Sequence, residues 1–163
     1  MGRWKAPPPK SSPYITPEGY EALQVDLKSL WTRRADVVKA LAAAAAEGDR
    51  SENAEYIYRK KELGSIDYRI RYLQKRLPNL NIVRESPHSE RVHFGAWITV
   101  ERDDGSQVEY RIVGPDEADA ANGLISVDSP MARTLLKKSP GDEIELHIGE
   151  RREALVINKI RYY

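Results

Sequence analysis

Apolar residues in the first half of the chain recur in steps of three and four, the period of a helix with one buried face. The first such run consists of Tyr20, Leu23, Leu27, Leu30, Arg34, Val37, Leu41 and Ala44. The second consists of Tyr56, Arg59, Leu63, Ile66, Ile70, Leu73 and Leu77. Each run has a single cationic interruption, and this pattern is typical of a coiled-coil seam.

The break between the two runs is short, and it predicts an antiparallel helical hairpin. Folding the chain at residues 48–49 pairs the runs in seven layers, and the partners' residue numbers add to 96 or 97 in every layer. Two unrelated helices would have no reason to share one register. At about 1.5 Å per residue, the arms of the hairpin would be roughly 45 Å long.

The ends of the first helix carry ordinary start and stop signals. Thr16 supplies an N-cap hydroxyl, Pro17 suits the first helical position and Glu18 places an acid in the first turn. The helix should end near Glu47, where Gly48 can adopt the left-handed conformation of a C-cap. Just before that end lies an unusually alanine-rich stretch, residues 42–46.

After Pro78-Asn79 the pattern changes to short apolar runs separated by turn signals. Residues 78–91 are interpreted as a hinge. Strands are predicted at residues 92–100, 108–113, 124–127, 144–148 and 154–160. Ser129 and Pro130 should begin one short helix that continues to about Lys138.

The predicted class is therefore α+β. A flexible basic arm (residues 1–13) precedes a two-helix coiled-coil hairpin (14–79). A small domain with an antiparallel sheet and one short helix (80–163) follows.

Composition narrows the kind of protein. The chain has no cysteine, which excludes disulfides, thiol catalysis and cysteine-based zinc sites. No apolar run approaches the roughly 20 residues that cross a bilayer, and the proline-rich start lacks the apolar core of a signal peptide. We expect a cytoplasmic protein with no membrane partner.

The net charge of +1 conceals an asymmetry between the two halves. Residues 1–80 hold 15 Lys/Arg against 10 Asp/Glu, whereas residues 81–163 hold 11 against 15. A basic first half indicates an anionic partner.

Four acids, Glu47, Asp49, Glu52 and Glu55, crowd the turn of the hairpin. Asp49 and Glu52 fit a capping box, with Asp49 as the N-cap and Glu52 at the third helical position. Two carboxylates at this spacing also share one helical face and can bind a hard cation such as Mg²⁺. Both interpretations stay open, since a cap uses only some of the carboxylate lone pairs.

Behind the turn the second helix becomes basic, with Arg59, Lys60, Lys61 and Arg69 among its cations. Such a face is either a solvated flank or a stripe that binds phosphates without reading sequence. The letters of the helicase box at residues 116–119 are attributed to chance, because no phosphate-binding loop accompanies them.

Two segments of this chain resemble the Gre transcript-cleavage factors, the GreA/GreB family. The first is Gly48-Asp49-Arg50-Ser51-Glu52-Asn53-Ala54-Glu55-Tyr56, followed by Lys60-Lys61, and the second is Ser126-Val127-Asp128-Ser129-Pro130-Met131-Ala132-Arg133. Phe94-Gly95-Ala96-Trp97 favours the GreB branch. The resemblance covers about residues 13–163.

The resemblance implies a partner, bacterial RNA polymerase, whose secondary channel the coiled coil enters while an FKBP-like domain docks outside. Asp49 and Glu52 would help hold the polymerase's second catalytic Mg²⁺ and orient the attacking water. The 3′ end of backtracked RNA would then be cleaved by the polymerase, not by this chain, which binds no cofactor alone.

The same resemblance assigns the remaining roles. The basic face, with Arg59, Lys60, Lys61 and Arg69, would lie along the extruded RNA. Docking would use Asp128, Ser129 and Pro130, and a monomer is expected. The alternatives are a channel-binding inhibitor without cleavage activity and a free-standing nucleic-acid-binding coiled coil.

Overall fold

The structure is a computed structural model, and its contacts divide the chain into two compact units. The hairpin unit comprises residues 20–80, and the sheet unit comprises the residues up to 19 together with 81–163. No helix in the described part of the chain is long and apolar enough to cross a membrane. The described residues are 10–48, 53–85, 87 and 89–162.

The hairpin unit consists of two long helices, which confirms the first half of the predicted fold. Helix α1 spans Pro17–Ala45 and helix α2 spans Ala54–Arg76, followed by a 3-10 turn at Leu77–Asn79. Helix α1 ends in the alanine run, and Gly48 beyond it has a φ of +125°, which suits a residue without a Cβ.

The predicted seam forms the core of the hairpin. Val37, Ile66 and Ile70 are buried together, with Leu27, Leu30 and Leu63 packed against them. Leu23 and Leu73, the partners in another predicted layer, are also buried. Burying each such side chain contributes roughly 1.5–3 kcal/mol, so the seam is the main source of stability in this unit.

Ion pairs between the two helices follow the same register. Arg33 Nε lies 2.8 Å from Glu62 Oε1, one position before the predicted layer formed by Arg34 and Leu63. Arg69 Nε lies 3.4 Å from Asp26 Oδ2, again one position before a predicted layer. Exposed pairs of this kind contribute about 0–1 kcal/mol each, so they select the register more than they stabilise it.

The sheet unit is built on five strands. They are β3 (Trp97–Arg102), β4 (Gln107–Val113), β5 (Leu124–Ser126), β6 (Glu143–Ile148) and β7 (Arg151–Arg161), in the order β5-β4-β3-β7-β6. Helix α3 (Pro130–Leu135) packs on one face. The core contains Val92, Ala96, Ile98, Val100, Ile112, Ala132, Leu135, Ile144, Leu155 and Ile157.

The prediction of a wholly antiparallel sheet was wrong for one strand. Strand β5 runs parallel to β4, with Arg111 opposite Leu124 and Val113 opposite Ser126. The segment between them contains two 3-10 turns, Pro115–Glu117 and Ala120–Asn122. A connection of this length returns the chain to the start of β4, whereas a tight hairpin would have made the pair antiparallel.

Two predicted elements also have a different boundary: a strand starts later and a helix ends earlier than expected. Strand β3 begins at Trp97 rather than Val92, because Val92 N donates to Lys138 O at 2.8 Å outside the sheet. Helix α3 ends at Leu135 rather than near Lys138, because Lys137 has a φ of +68° and its N–H donates to Val92 O. One exchange of hydrogen bonds thus accounts for both differences.

The residues just before α1 form part of the sheet unit. Strand β1 (Tyr14–Ile15) pairs in parallel with β2 (Asn81–Ile82), and Asn81 N donates to Pro13 O at 2.8 Å. We call residues 12–16 the N-terminal strap. The strap is bonded to the sheet unit, so the predicted boundary at 13/14 differs from the observed one at 19/20, whereas the predicted boundary at 79/80 lies one residue from the observed one at 80/81.

The hairpin core should be sensitive to truncation. Replacing Ile70, which is 3% exposed, by alanine is expected to cost about 2–5 kcal/mol of unfolding free energy because it leaves a cavity in the seam. The matched control is Tyr68→Ala on the same helix, where the side chain is 70% exposed and the cost should be within about 0.5 kcal/mol. Urea unfolding followed by far-UV circular dichroism measures both, and equal losses would contradict the seam.

Candidate functional site

The two tip carboxylates of the sequence prediction, Asp49 and Glu52, lie outside the described residues. Their neighbours on both sides are described. Glu47 and Gly48 are exposed beyond the end of α1, and Asn53 precedes α2. Among the described residues, no group of three or more His, Asp or Glu side chains is arranged to hold a metal ion.

Asn53 connects the two helices at the tip. Its Oδ1 accepts a hydrogen bond from Tyr56 N at 3.1 Å, and its Nδ2 donates to Ala44 O at 2.8 Å. One side chain thus caps the start of α2 and satisfies a carbonyl at the end of α1, two groups that helices leave unpaired. The N-cap of α2 is Asn53, so the predicted capping box starting at Asp49 was wrong.

Asn and Asp are almost equally good N-caps, which explains this error. Only asparagine carries both an acceptor for Tyr56 N–H and a donor for the Ala44 carbonyl. That second bond depends on α1 lying next to α2, which a local capping pattern does not report.

Arg59 is held in a network of carboxylates. It lies 2.8 Å from Glu55 Oε1 through Nε and 3.1 Å from Glu62 Oε2 through Nη1. The hydrogen bond with Glu55 raises the pKa of Arg59, and the hydrogen bond from Arg33 holds the pKa of Glu62 below its usual range. Both groups therefore stay charged at neutral pH, and Arg59 is largely committed to the hairpin.

Arg69 also has interaction partners within the hairpin. It pairs with Asp26, and its guanidinium lies 5.5 Å from the centroid of the Tyr72 ring. Lys60 and Lys61 differ: both are exposed, and neither has an ion-pair partner among the described residues. The four predicted phosphate-binding cations thus fall into two classes, of which only the lysines present uncommitted charge.

A closed turn precedes helix α3 and contains the predicted docking residues. Ser129 N donates to Ser126 O at 2.9 Å, and Asp128 N donates to Ser126 Oγ at 3.1 Å. Ser129 Oγ accepts from Ala132 N at 3.2 Å and caps α3. Pro130 occupies the first turn of α3 and is exposed. The structure brings Asp128, Ser129 and Pro130 together in one rigid turn, which we call the docking turn.

The strap contacts the docking turn through Ser12. Its backbone N–H donates to Asp128 Oδ2 at 2.9 Å, and its hydroxyl donates to Asp128 Oδ1. Residues 12 and 13 were predicted as part of a flexible arm, and the structure corrects this. The sequence carried no sign of it, because the partners are 116 positions apart.

Glu117 fixes the other end of the strap. Its Oε1 accepts from Thr16 N at 3.0 Å and from Gly114 N at 2.8 Å, and its Oε2 accepts from the Thr16 hydroxyl at 2.7 Å. A Cβ at Gly114 would lie 2.0 Å from Tyr14 O, so the strap needs glycine there. The letters of the helicase box thus contain a structural carboxylate, in keeping with the interpretation that the match is chance.

The hairpin and the sheet unit each match a family model. The model of the transcription elongation factor N-terminal domain covers residues 13–82, and the GreA/GreB C-terminal model covers residues 86–162. This chain therefore belongs to the GreA/GreB family of transcription elongation factors, and the predicted family is confirmed.

Within the family, the similarity is to GreB. The chain is 53% identical over 165 residues to the transcription elongation factor GreB of Xanthomonas axonopodis pv. citri (strain 306), covering 99% of this chain and 98% of the relative. It is 49% identical over 164 residues to GreB of Pseudomonas aeruginosa, with the same coverage. Among solved structures, it is similar to GreA factor homolog 1 (Gfh1) of Thermus thermophilus, at 25% identity and a TM-score of 0.43, covering 92% of this chain and 99% of that one.

The two bonds of Asn53 can be separated by mutation. Asn53→Ala removes both and should cost about 1 kcal/mol, the usual effect of losing an N-cap. Asn53→Asp keeps the acceptor for Tyr56 N–H but cannot donate to Ala44 O. Amide hydrogen exchange should therefore show Tyr56 deprotected in the alanine variant and still protected in the aspartate variant. Equal protection of Tyr56 in all three proteins would contradict the cap.

Proposed function

We propose that this chain binds bacterial RNA polymerase, inserts its hairpin into the secondary channel and stimulates the polymerase's own hydrolysis of the 3′ end of backtracked RNA. The observation that carries the proposal is the match of both units to elongation-factor domains over almost the whole chain. The chain is then an accessory factor, and the bond-breaking residues belong to the polymerase.

The tip residues Asp49 and Glu52 are assigned to Mg²⁺ shared with the polymerase. Their carboxylates are the hard oxygen ligands that Mg²⁺ prefers, and one or two protein carboxylates are usual for this ion. When bound, the ion polarises a phosphoryl oxygen and lowers the pKa of water. Two ligands are too few for a private site, so the chemistry of the donor set fits a shared one.

The residues around the tip prepare it for this role. Asn53 ties the start of α2 to the end of α1, so the two helix ends that flank Asp49 and Glu52 in the sequence are joined to each other. Lys60 and Lys61 follow about two helical turns behind Asn53 and supply positive charge for RNA phosphates. Arg59 and Arg69 contribute to that surface indirectly, by keeping the two helices in register.

Outside the channel, the docking turn is the proposed contact with the polymerase. Pro130 is exposed and Asp128 is half-buried in a turn that is fixed by hydrogen bonds from both sides. A pre-organised turn loses little conformational entropy on binding, which favours a stable contact.

Neutralising the tip is the first test. Asp49→Asn combined with Glu52→Gln should lower the rate of RNA cleavage in backtracked polymerase complexes by about 100-fold or more at saturating protein, since both metal ligands are lost. Binding to polymerase should be retained, as measured by competition with labelled parent protein.

The matched control is Glu47→Gln, an exposed acid beside the tip that is not assigned to the metal. It should keep most of the activity. If the double variant cleaves as fast as the parent, the metal role is wrong. If the parent protein binds polymerase but yields no shortened RNA, the chain is an inhibitor, and the cleavage proposal fails.

The two classes of cation should behave differently. Lys60→Ala combined with Lys61→Ala should weaken the salt-dependent contact with RNA. In a plot of log affinity for RNA against log salt concentration, the slope should fall in magnitude by about 1–2. Arg59→Ala should instead lower the melting temperature, since it removes the ion pairs with Glu55 and Glu62 and leaves Glu62 with Arg33 alone. If the lysine variant lost stability and Arg59→Ala changed only the salt dependence, this division would be wrong.

A further inference from the structure

Ser12 makes a two-point contact with a docking residue. Its N–H and its hydroxyl donate to different oxygens of the Asp128 carboxylate. A single hydrogen bond lets a carboxylate rotate about its last torsion, whereas two bonds to its two oxygens fix the plane. Hydrogen bonds to a charged group are also stronger than neutral ones.

Ser12, the donor of both hydrogen bonds, is held in place by the rest of the strap. Pro13 follows Ser12 and accepts from Asn81 N, and strand β1 pairs with β2 immediately afterwards. Ile15 is completely buried and Thr16 is 3% exposed. Glu117 then fixes Thr16 with two hydrogen bonds. The strap is therefore attached along its length, so the position of Ser12 is determined by the sheet unit.

The turn on the other side of Asp128 is equally constrained. Asp128 N donates to Ser126 Oγ, and Val127 N donates to Val113 O at 2.8 Å. The backbone of the docking turn is thus set by β4 and α3, while the direction of the Asp128 side chain is set by Ser12. The two constraints come from opposite ends of the sequence.

From this arrangement we propose that Ser12 is a positioning residue for polymerase docking, which presets the Asp128 carboxylate in the orientation that the polymerase recognises. The inference rests on the proposed docking role of residues 128–130. A carboxylate has about four acceptor positions, so two bonds from Ser12 do not exhaust its capacity. The strap thereby becomes part of the docking surface without having to touch the polymerase.

The chain offers a closely matched control. Ser11 is the adjacent serine, is exposed, and has no hydrogen-bond partner among the described residues. Ser12→Thr keeps both donors, whereas Ser12→Ala removes the hydroxyl and leaves only the backbone N–H.

The experiment titrates full-length protein into backtracked complexes and separates the half-saturating concentration from the cleavage rate at saturation. Ser12→Ala should raise the half-saturating concentration on the order of tenfold, the lower end of the effect of one hydrogen bond to a charged group. The saturated rate should not change, and the melting temperature should fall only slightly, by about 2–4 °C per kcal/mol lost, because the hydrogen bond also stabilises the strap. Ser12→Thr and Ser11→Ala should match the parent.

A double-mutant cycle ties the effect to Asp128. In an Asp128→Ala background, adding Ser12→Ala should cause no further loss, because the two residues act through one contact. Additive losses would overturn the inference. So would a tighter-binding Ser12→Ala, since Ser12 would then be competing with the polymerase for Asp128.

The remaining outcomes separate the inference from the proposed function. If Asp128→Ala weakens binding but Ser12→Ala does not, Ser12 has no positioning role and the docking role of Asp128 survives. If neither change affects the half-saturating concentration, the docking role itself fails. A fall in melting temperature that Ser12→Thr does not restore would reduce Ser12 to a structural residue.

Discussion

The antiparallel register between α1 and α2 is the constraint on which the functional surfaces of this protein depend. It buries Val37, Ile66 and Ile70 in one seam, and it brings the Ala44 carbonyl within reach of Asn53. A shift of one helical turn would break both the seam and the tip bond. It would also change which cations are neutralised, since Arg33 and Glu62 meet only in this register.

Those features that are encoded locally were predictable from the sequence. The seams, the hairpin, the Ser129 cap and the family motifs all depend on residues a few positions apart, where helical periodicity and capping patterns are informative. The direction of β5, the strap and the Ser12 contact depend on partners far apart in the sequence. Asn53 shows the intermediate case: the cap is local, but the choice between Asn53 and Asp49 is decided by the neighbouring helix.

For the candidate site, too, some features could be predicted from the sequence and others could not. The motifs predicted which residues are functional, but not which charges are available. Arg59 and Lys60 are neighbours in one basic stretch, and a count of charges alone treats them alike. In the structure Arg59 is 24% exposed between two glutamates, whereas Lys60 faces solvent. This difference follows from acids on the same helix, Glu55 four positions before Arg59 and Glu62 three positions after it, so helical spacing alone could have separated the two cations.

The alanine run at the end of α1 has a consequence for motion in a confined space. Residues 42–46 carry only methyl groups, and Ala44 alone among them is fully buried. Long polar side chains would lose up to about 2 kcal/mol each in rotamer entropy on entering a narrow passage, whereas alanine loses none. This stretch of the hairpin can therefore be enclosed at almost no entropic cost. In the proposed channel, its fit would be determined by backbone thickness, and not by side chains that must first find a conformation.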